Sequence, residues 1–495
     1  MMTPPSRRWQ RWADSGPVQV VAWCAVLLSC YPRLWNKAGE EMFKLDVWIY
    51  YHAVAQWQAG GSLYDWWANP DQQLWPFTYP PFAAWAFMPL TWLDDRSVQV
   101  LLVLATPVCV GASVWAAARA LGASQRRAWA LAPWVTLAGV CVIEPVYKSM
   151  EYGQVNAILM MLVAVDLLAV PARSPWRGVL SGLAAAFKLT PAIAVIVLLA
   201  RREWRAAATM TGTAAGVTAL CWLISPSEST QFFFSAMWDP GRAGFADYSG
   251  NQNLKGLVAR WLPEDLWTVV WALAVLGALV GAWLLLRRLD GLRPQSARTG
   301  PDGPVSEDGA ARADGPASSD GLTGLAGRRA TPSDNGLILT LQVSVAMTLG
   351  LLISPISWSH HWVWCVPALM ALVVAARRWD SPALMTAAAA GAAVFVLAMQ
   401  WWFPEQNHVE QDWPVWASVV GSSYTWWALA TGAVLASASA EHRRGQARAV
   451  QRAGEARAVR TSAGQAGPVR PEQAGSGQPE TDEAGTAGSE QVRLV

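Results

Sequence analysis

The chain has 495 residues, of which 53% are apolar and 15% charged, with 32 Trp against 9 Tyr and a formal net charge of +2. Together with a mean hydropathy of +0.22, this excludes a soluble chain of ordinary composition and describes an integral membrane protein. The basic residues are dispersed rather than gathered into a patch, so no nucleic-acid partner is expected.

A basic segment, residues 1–17, precedes a first apolar run at about 18–35, which is expected to remain as a signal anchor. Residues 36–96 then form a long polar and aromatic connection. Within it Asp46 opens a stretch where Trp48, Tyr51, Val54, Ala55 and Gln58 recur at helical spacing, the pattern of an amphipathic helix lying along the membrane interface. Residues 79–93 begin Tyr79-Pro80-Pro81 and are too short to cross, so they are expected as an interfacial or partly inserted helix. Further spans are expected at about 97–118, 128–145, 153–171, 206–225, 265–286, 336–354, 360–376, 382–402 and 414–437, about ten with the first.

Residues 178–200 need a different solution. Lys188 and Pro191 lie at their middle, with Arg173 and Arg177 before and Arg201, Arg202 and Arg205 after. A single crossing would strand one arginine cluster on the outer side, whereas a re-entrant hairpin with Phe187–Pro191 at its tip keeps both on the inner side. Each arm would reach ~15–18 Å at about 1.5 Å per residue. Arg7/Arg8/Arg11, Arg119/Arg126/Arg127, Arg287/Arg288, Arg377/Arg378 and Arg443/Arg444 then share that side. Both termini are expected in the cytoplasm, with the segments 36–96 and 226–264 outside. Residues 289–335 and 441–495 are Gly-, Pro-, Ser-, Ala- and charge-rich and read as a disordered cytoplasmic linker and tail. The membrane body is thus 18–288 continued by 336–440, an all-α polytopic fold. The six cysteines, Cys24, Cys30, Cys109, Cys141, Cys221 and Cys365, fall inside apolar runs without metal-ligand spacing and read as core residues.

The polar chemistry lies in the outer segments. Asp46 is either a base beside aromatic residues or the N-cap of its helix. Gln154 and Asn156 enter a membrane helix, where they need interhelical hydrogen bonds or a ligand. Lys188 needs an anion, either a neighbouring carboxylate or a phosphate. Arg242, Asn251, Gln252 and Lys255 crowd one loop; they suit sugar hydroxyls and phosphate, or are ordinary loop polarity. His360 and His361 are adjacent, so on a helix at most one faces a given site, and no third ligand stands near them to make a metal centre.

Seven motifs occur in order: D-x-W-x-Y-Y-x-A from Asp46, G-x-x-L-Y from Gly60, F-T-Y-P-P from Phe77, G-Q-V-N from Gly153, F-K-L-T-P from Phe187, N-Q-N-L-x-G from Asn251 and S-P-x-S-W-x-H-H from Ser354. Over about residues 18–437 the chain resembles glycosyltransferase family 87, the polyprenyl-phosphate-mannose-dependent α-mannosyltransferases with the GT-C fold. It departs from the family at Tyr152, where Asn often stands before G-Q-V-N. The resemblance implies a multi-pass cell-membrane enzyme with an extracytoplasmic site. It would take mannose from a polyprenyl-monophosphate-mannose donor to a lipid-anchored glycan acceptor of the phosphatidylinositol mannoside or lipomannan type, most commonly in α-1,2 linkage. Such an inverting transfer needs one base and no general acid, because a phosphate monoester already leaves readily. Asp46 is the implied base. Lys188, His360 or His361, and Arg242 or Lys255 are implied to stabilise the phosphate charge. Tyr50, Tyr79, Gln154, Asn156, Asn251 and Gln252 complete the expected substrate-binding set. No metal or cofactor is implied, and the oligomeric state is left open. The competing expectations are a transporter or flippase of a polyprenyl-linked sugar, although no repeat with paired broken helices is visible, and a non-catalytic scaffold.

Overall fold

The computed structural model describes residues 16–34, 43–293 and 332–465 other than 406. The N-terminal arginines, most of the 289–335 linker and the tail beyond 465 lie outside the described residues. The chain divides into two compact units, residues 1–320 with 328–444, and residues 321–327 with 445–495. The described residues up to Arg444 all belong to the first.

The described residues are almost wholly helical. In chain order the first half runs α1 (Gly16–Cys30), α2 (Leu45–Gln58), α3 (Pro81–Phe87), α4 (Asp95–Ala120), α5 (Gln125–Val142), α6 (Glu144–Tyr152) and α7 (Asn156–Ala164). It continues with α8 (Val179–Phe187), α9 (Val195–Ala200), α10 (Trp204–Ile224), α11 (Pro226–Phe234), α12 (Leu254–Trp261) and α13 (Glu264–Asp290). After the linker come α14 (Pro332–Ile353), α15 (Cys365–Arg378), α16 (Pro382–Leu397), α17 (Val415–Gly421) and α18 (Ser423–Gln465). A small antiparallel hairpin, β1 (Trp67–Asn69) with β2 (Leu74–Pro76), sets Trp67 opposite Pro76.

Seven of these segments are long and apolar enough to cross a membrane, eight if the bent pair α5–α6 forms one span. This is fewer than the ten expected from hydropathy, and two stretches account for much of the difference. The 153–171 stretch is a short apolar helix, Asn156–Ala169, closed by a π-helical turn at Val165–Ala169. The 414–437 stretch breaks at Ser422, between α17 and α18. The tail also differs at its start, since α18 runs on to Gln465 and residues from Gly445 are its part of the second unit. Alanine, glutamine and arginine are good helix formers, and extending an existing helix needs no new nucleus.

The long helix α4 lies at the centre, packed against α5, α7, α14 and α15. Its Asp94 N-cap accepts from Ser97 N–H. At the opposite end the basic clusters meet one another. Arg378 donates to Leu121 O and pairs with Asp334 at 2.7 Å. Arg201 reaches Asn335, Arg293 reaches Arg201 O, and Arg443 reaches Arg288 O. The stretch 178–200 folds as two helical arms, α8 and α9, joined through Lys188 and a 3₁₀ turn at Thr190–Ala194. Its two ends are clasped together, because Arg177 (2.9 Å) and Arg201 (2.7 Å) pair with the same Glu203 carboxylate. Both ends therefore lie at the basic end of the bundle, the geometry of a re-entrant hairpin.

Candidate active site

Asp46 lies in the first turn of α2, where a carboxylate is favoured by the helix dipole. It does not cap the helix. Lys44 is the N-cap residue, without a side-chain capping bond, and Asp46 Oδ2 instead accepts from Gln154 Nε2 at 2.7 Å. That contact depends on Gly153, which ends α6 in the left-handed region at φ +67. A Cβ there would lie 2.5 Å from Val47 Cγ1, so only glycine lets the α6–α7 turn close onto α2 and bring Gln154 to the carboxylate. Asp46 is partly buried. Burial pushes its carboxyl up to about 6, against the opposing effects of the Gln154 hydrogen bond and the Lys188 charge.

From Gln154 a polar chain runs to Lys188. Gln154 Oε1 accepts from Asn156 Nδ2 at 3.2 Å and lies 3.4 Å from Tyr79 OH. Tyr79 shares a 2.7 Å hydrogen bond with Tyr50, and burial raises both phenols above their ordinary range. Lys188 Nζ, at the C-terminal end of α8, donates to Asn156 Oδ1 at 3.1 Å and to Tyr79 OH at 3.4 Å. It also lies 3.4 Å from His361 Nε2, which an ammonium can approach only as donor to a neutral imidazole. The carboxylate and the ammonium thus stand at two ends of one amide and phenol relay. Lys188 makes no direct ion pair with Asp46, so its charge is not cancelled by a bonded anion.

A second set of groups holds the histidines in place. Ser149 Oγ and Asn156 Nδ2 both donate to His360 O, at 2.9 and 3.2 Å. The His360 ring lies 4.8 Å from His361 and 4.9 Å from Tyr152, and its Nε2 is buried without a hydrogen-bond partner. Glu144, fully buried at the α5–α6 bend, accepts from Ser359 Oγ (2.7 Å), Trp401 Nε1 (2.9 Å) and Tyr424 OH (2.9 Å). It therefore ties the histidine turn to α6 and α18.

The structure brings together Asp46, Tyr50, Tyr79, Gln154, Asn156, Lys188, His360 and His361. Asn251 and Gln252 are placed elsewhere. Asn251 Oδ1 accepts from Ser357 N–H and its Nδ2 donates to Ala246 O. Gln252 donates to Ser249 O and Gly421 O, and both residues are fully buried. The Asn251 amide braces the turn before the histidines and the Gln252 amide braces the α17–α18 junction, because an amide satisfies backbone groups as readily as sugar hydroxyls. Arg242 donates to Phe77 O at 3.3 Å and lies over Trp67, at the edge of the aromatic wall around Tyr79. Lys255 lies over Trp271, 5.3 Å from the ring centroid, and no hydrogen bond joins it to the cluster. Phe187, which opens the F-K-L-T-P motif, and Phe87, which no motif singled out, complete the wall: Phe187 packs on Tyr79 and Phe87, with centroids 5.9 and 5.8 Å away. Among the described residues no group of three or more His, Cys, Asp or Glu side chains could hold a metal ion.

The fold and the cluster together define a polytopic, all-helical membrane protein with a partly buried carboxylate and an unneutralised lysine facing one polar site. The family model for glycosyltransferase family 87 matches residues 77–300. A polyprenol-phosphate-mannose-dependent alpha-(1-2)-phosphatidylinositol mannoside mannosyltransferase of Mycolicibacterium smegmatis is 34% identical over 426 residues, 81% of this chain and 85% of the relative. A protein of the same description from Mycobacterium tuberculosis is 30% identical, over 83% of this chain and 89% of its own length. A pentamannoside mannosyltransferase of M. smegmatis is 32% identical over 66% of this chain and 69% of its own length. No solved structure matches. The chain belongs to glycosyltransferase family 87.

Proposed function

We propose that this protein is an inverting mannosyltransferase that moves mannose from polyprenyl-monophosphate-mannose to a lipid-anchored mannoside, of the phosphatidylinositol mannoside or lipomannan type, in α-1,2 linkage. The description of its relatives supports the donor, the acceptor class and the linkage. The observation that carries the mechanism is the pairing of a base and a cation held apart by the Gln154–Asn156 relay. Asp46 takes the proton of the acceptor hydroxyl as its oxygen attacks the anomeric carbon. The carbon–oxygen bond to the phosphate breaks on the opposite face, and the new negative charge falls on the polyprenyl phosphate. Lys188 stabilises that charge, with the His360–His361 turn beside it. The gathering of arginines at the far end of the bundle supports an extracytoplasmic site with cytoplasmic termini.

The test is transfer by purified protein in nanodiscs, with synthetic polyprenyl-phosphate-mannose and an α-mannoside lipid, with and without chelator. Transfer that survives chelation and yields an α-linked product supports the reading. Transbilayer movement of the donor without any glycosidic product would replace it with the flippase reading.

A further inference from the structure

We propose that a cleft between α2, α3 and the α10–α11 junction is a second carbohydrate site, which holds the inner sugars of an oligosaccharide acceptor while its terminal hydroxyl meets Asp46. The cavity is about 600 Å³ and is lined by Trp57, Gln58, Trp85, Ser225, Ser227 and Glu228 among others, within the size range of small-ligand sites.

Its walls are fixed before any ligand arrives. The Trp57 and Trp85 rings meet edge to face, with centroids 5.4 Å apart. Trp57 Nε1 donates to Glu228 Oε1 at 3.0 Å, and Trp85 Nε1 donates to Ser225 Oγ at 2.8 Å. Ser227 Oγ donates to Glu228 Oε2 at 2.7 Å, so each carboxylate oxygen keeps a lone pair for a further donor. Gln58, exposed at the rim, is held by Thr91 Oγ1 donating to its Oε1 at 2.7 Å. Gln231 Nε2 donates to Asp65 Oδ1 at 2.7 Å and braces α11 against the loop between α2 and β1. Ordered indoles beside a carboxylate, hydroxyls and an amide suit a sugar ring, whose C–H face is apolar and whose edge carries hydroxyl donors. The Glu228 carboxylate repels a lipid phosphate, so the occupant is the neutral polyhydroxylated part of a glycolipid.

Position decides which sugars. Asp46 and Trp57 lie on the same helix, about 16 Å apart along its axis at ~1.5 Å per residue. One hexose does not bridge that distance, and an oligosaccharide does. Leu223 and Ile224, exposed beside the cleft, place it where the lipid-proximal sugars would leave the membrane.

This inference rests on the mannoside acceptor proposed above, and two arms separate them. In the first, calorimetry measures binding of soluble methyl α-mannotetraoside to the Asp46→Asn protein in nanodiscs, alone and with Ser227→Trp, which fills the exposed mouth, or Glu228→Gln. At least tenfold weaker binding with both changes, at unaltered thermal midpoint, is expected. Unchanged affinity, no binding of the tetraoside at all, or displacement by tetramethylammonium would overturn the site. In the second arm, Ser227→Trp alone should raise KM about tenfold for a long oligomannoside acceptor and leave kcat/KM for a disaccharide acceptor unchanged. Equal effects on both acceptors would also overturn the site while leaving the transferase intact. Absence of transfer by the wild type, with tetraoside binding still sensitive to Ser227→Trp, would instead sink the transferase reading alone.

Discussion

Gln154 Nε2 donates to Asp46 Oδ2 at 2.7 Å while Gln154 Oε1 accepts from Asn156, so one amide orients the carboxylate and transmits its position to the residue that also holds Lys188. The carboxylate is left with a free oxygen and no bonded cation. Asp46→Asn keeps the shape and the amide contact but cannot take a proton. Transfer should fall by about 10²–10⁴-fold, the usual contribution of a general base, with an unchanged thermal midpoint. Full transfer by a folded Asp46→Asn protein would remove Asp46 from the chemistry.

The same contact sets a pH dependence. Burial raises Asp46 to about 6, and a base must be ionised, so kcat/KM should fall as pH drops through about 6. The Gln154 hydrogen bond favours the ionised form and opposes that elevation. Gln154→Leu should therefore move the acidic limb to higher pH, which a profile of kcat/KM would show. A limb that stays in place would mean that another group titrates. For stability the sign is reversed. Between the ordinary carboxylate value and about 6 the native state binds this proton more tightly than the unfolded chain, so this group favours the native state as pH falls through that window.

How much of this was legible in the sequence follows from which forces act locally. The helix at Asp46, the short helix within 79–93 and the odd position of Lys188 all follow from length and the placement of residue types. The face the Asp46 helix buries does not: it is Val47, Ile49, Tyr50, Ala53 and Val54 rather than the Trp48, Tyr51, Ala55 and Gln58 stripe. The short spans do not, because hydropathy measures apolarity and is blind to a helix that stops at a π turn or breaks at Ser422. Asn251 and Gln252 look like sugar ligands in a loop, yet their partners are Ser357 and Gly421, more than a hundred residues away. No local pattern predicts such pairings. Glu144 shows the same limit: its charge is visible in the sequence, and its three donors from Ser359, Trp401 and Tyr424 are visible only in the fold.

Lys188 donates to three groups and is bonded to no carboxylate, so replacing it removes a cation without orphaning an anion in direct contact. Lys188→Met should lower transfer by about 10²–10³-fold, the scale of losing one charge stabiliser, and should raise KM for the phosphate-bearing donor more than for the acceptor. Equal donor affinity in the variant would assign the phosphate to another cation.

Glu144 offers a contrast, being fully buried with its carboxylate bonded to three protein donors. Glu144→Ala leaves three buried donors without an acceptor, at about 1–3 kcal/mol for each group left unsatisfied. The thermal midpoint in detergent should drop clearly, and activity should fall with the order of the histidine turn. Glu144→Gln, which still accepts hydrogen bonds, should recover most of both. Activity lost in Glu144→Gln at full stability would make Glu144 a chemical participant instead.

Glu203 clasps the hairpin that carries Lys188. Arg177 and Arg201 each expose 2% of their side chains and share its carboxylate, while Arg177 also donates to the Asp166, Leu167 and Val170 carbonyls. Removing the shared anion leaves two buried guanidinium groups partly uncompensated, and breaking a buried pair in this way costs about 3–5 kcal/mol. Glu203→Ala should therefore lower stability by that order and, by freeing one arm of the hairpin, loosen the Lys188 tip and raise KM for the donor. Glu203→Asp, which keeps the charge on a shorter side chain, should lose less of both. If the alanine variant kept wild-type stability and donor affinity, the clasp would not be what holds the lysine at the site.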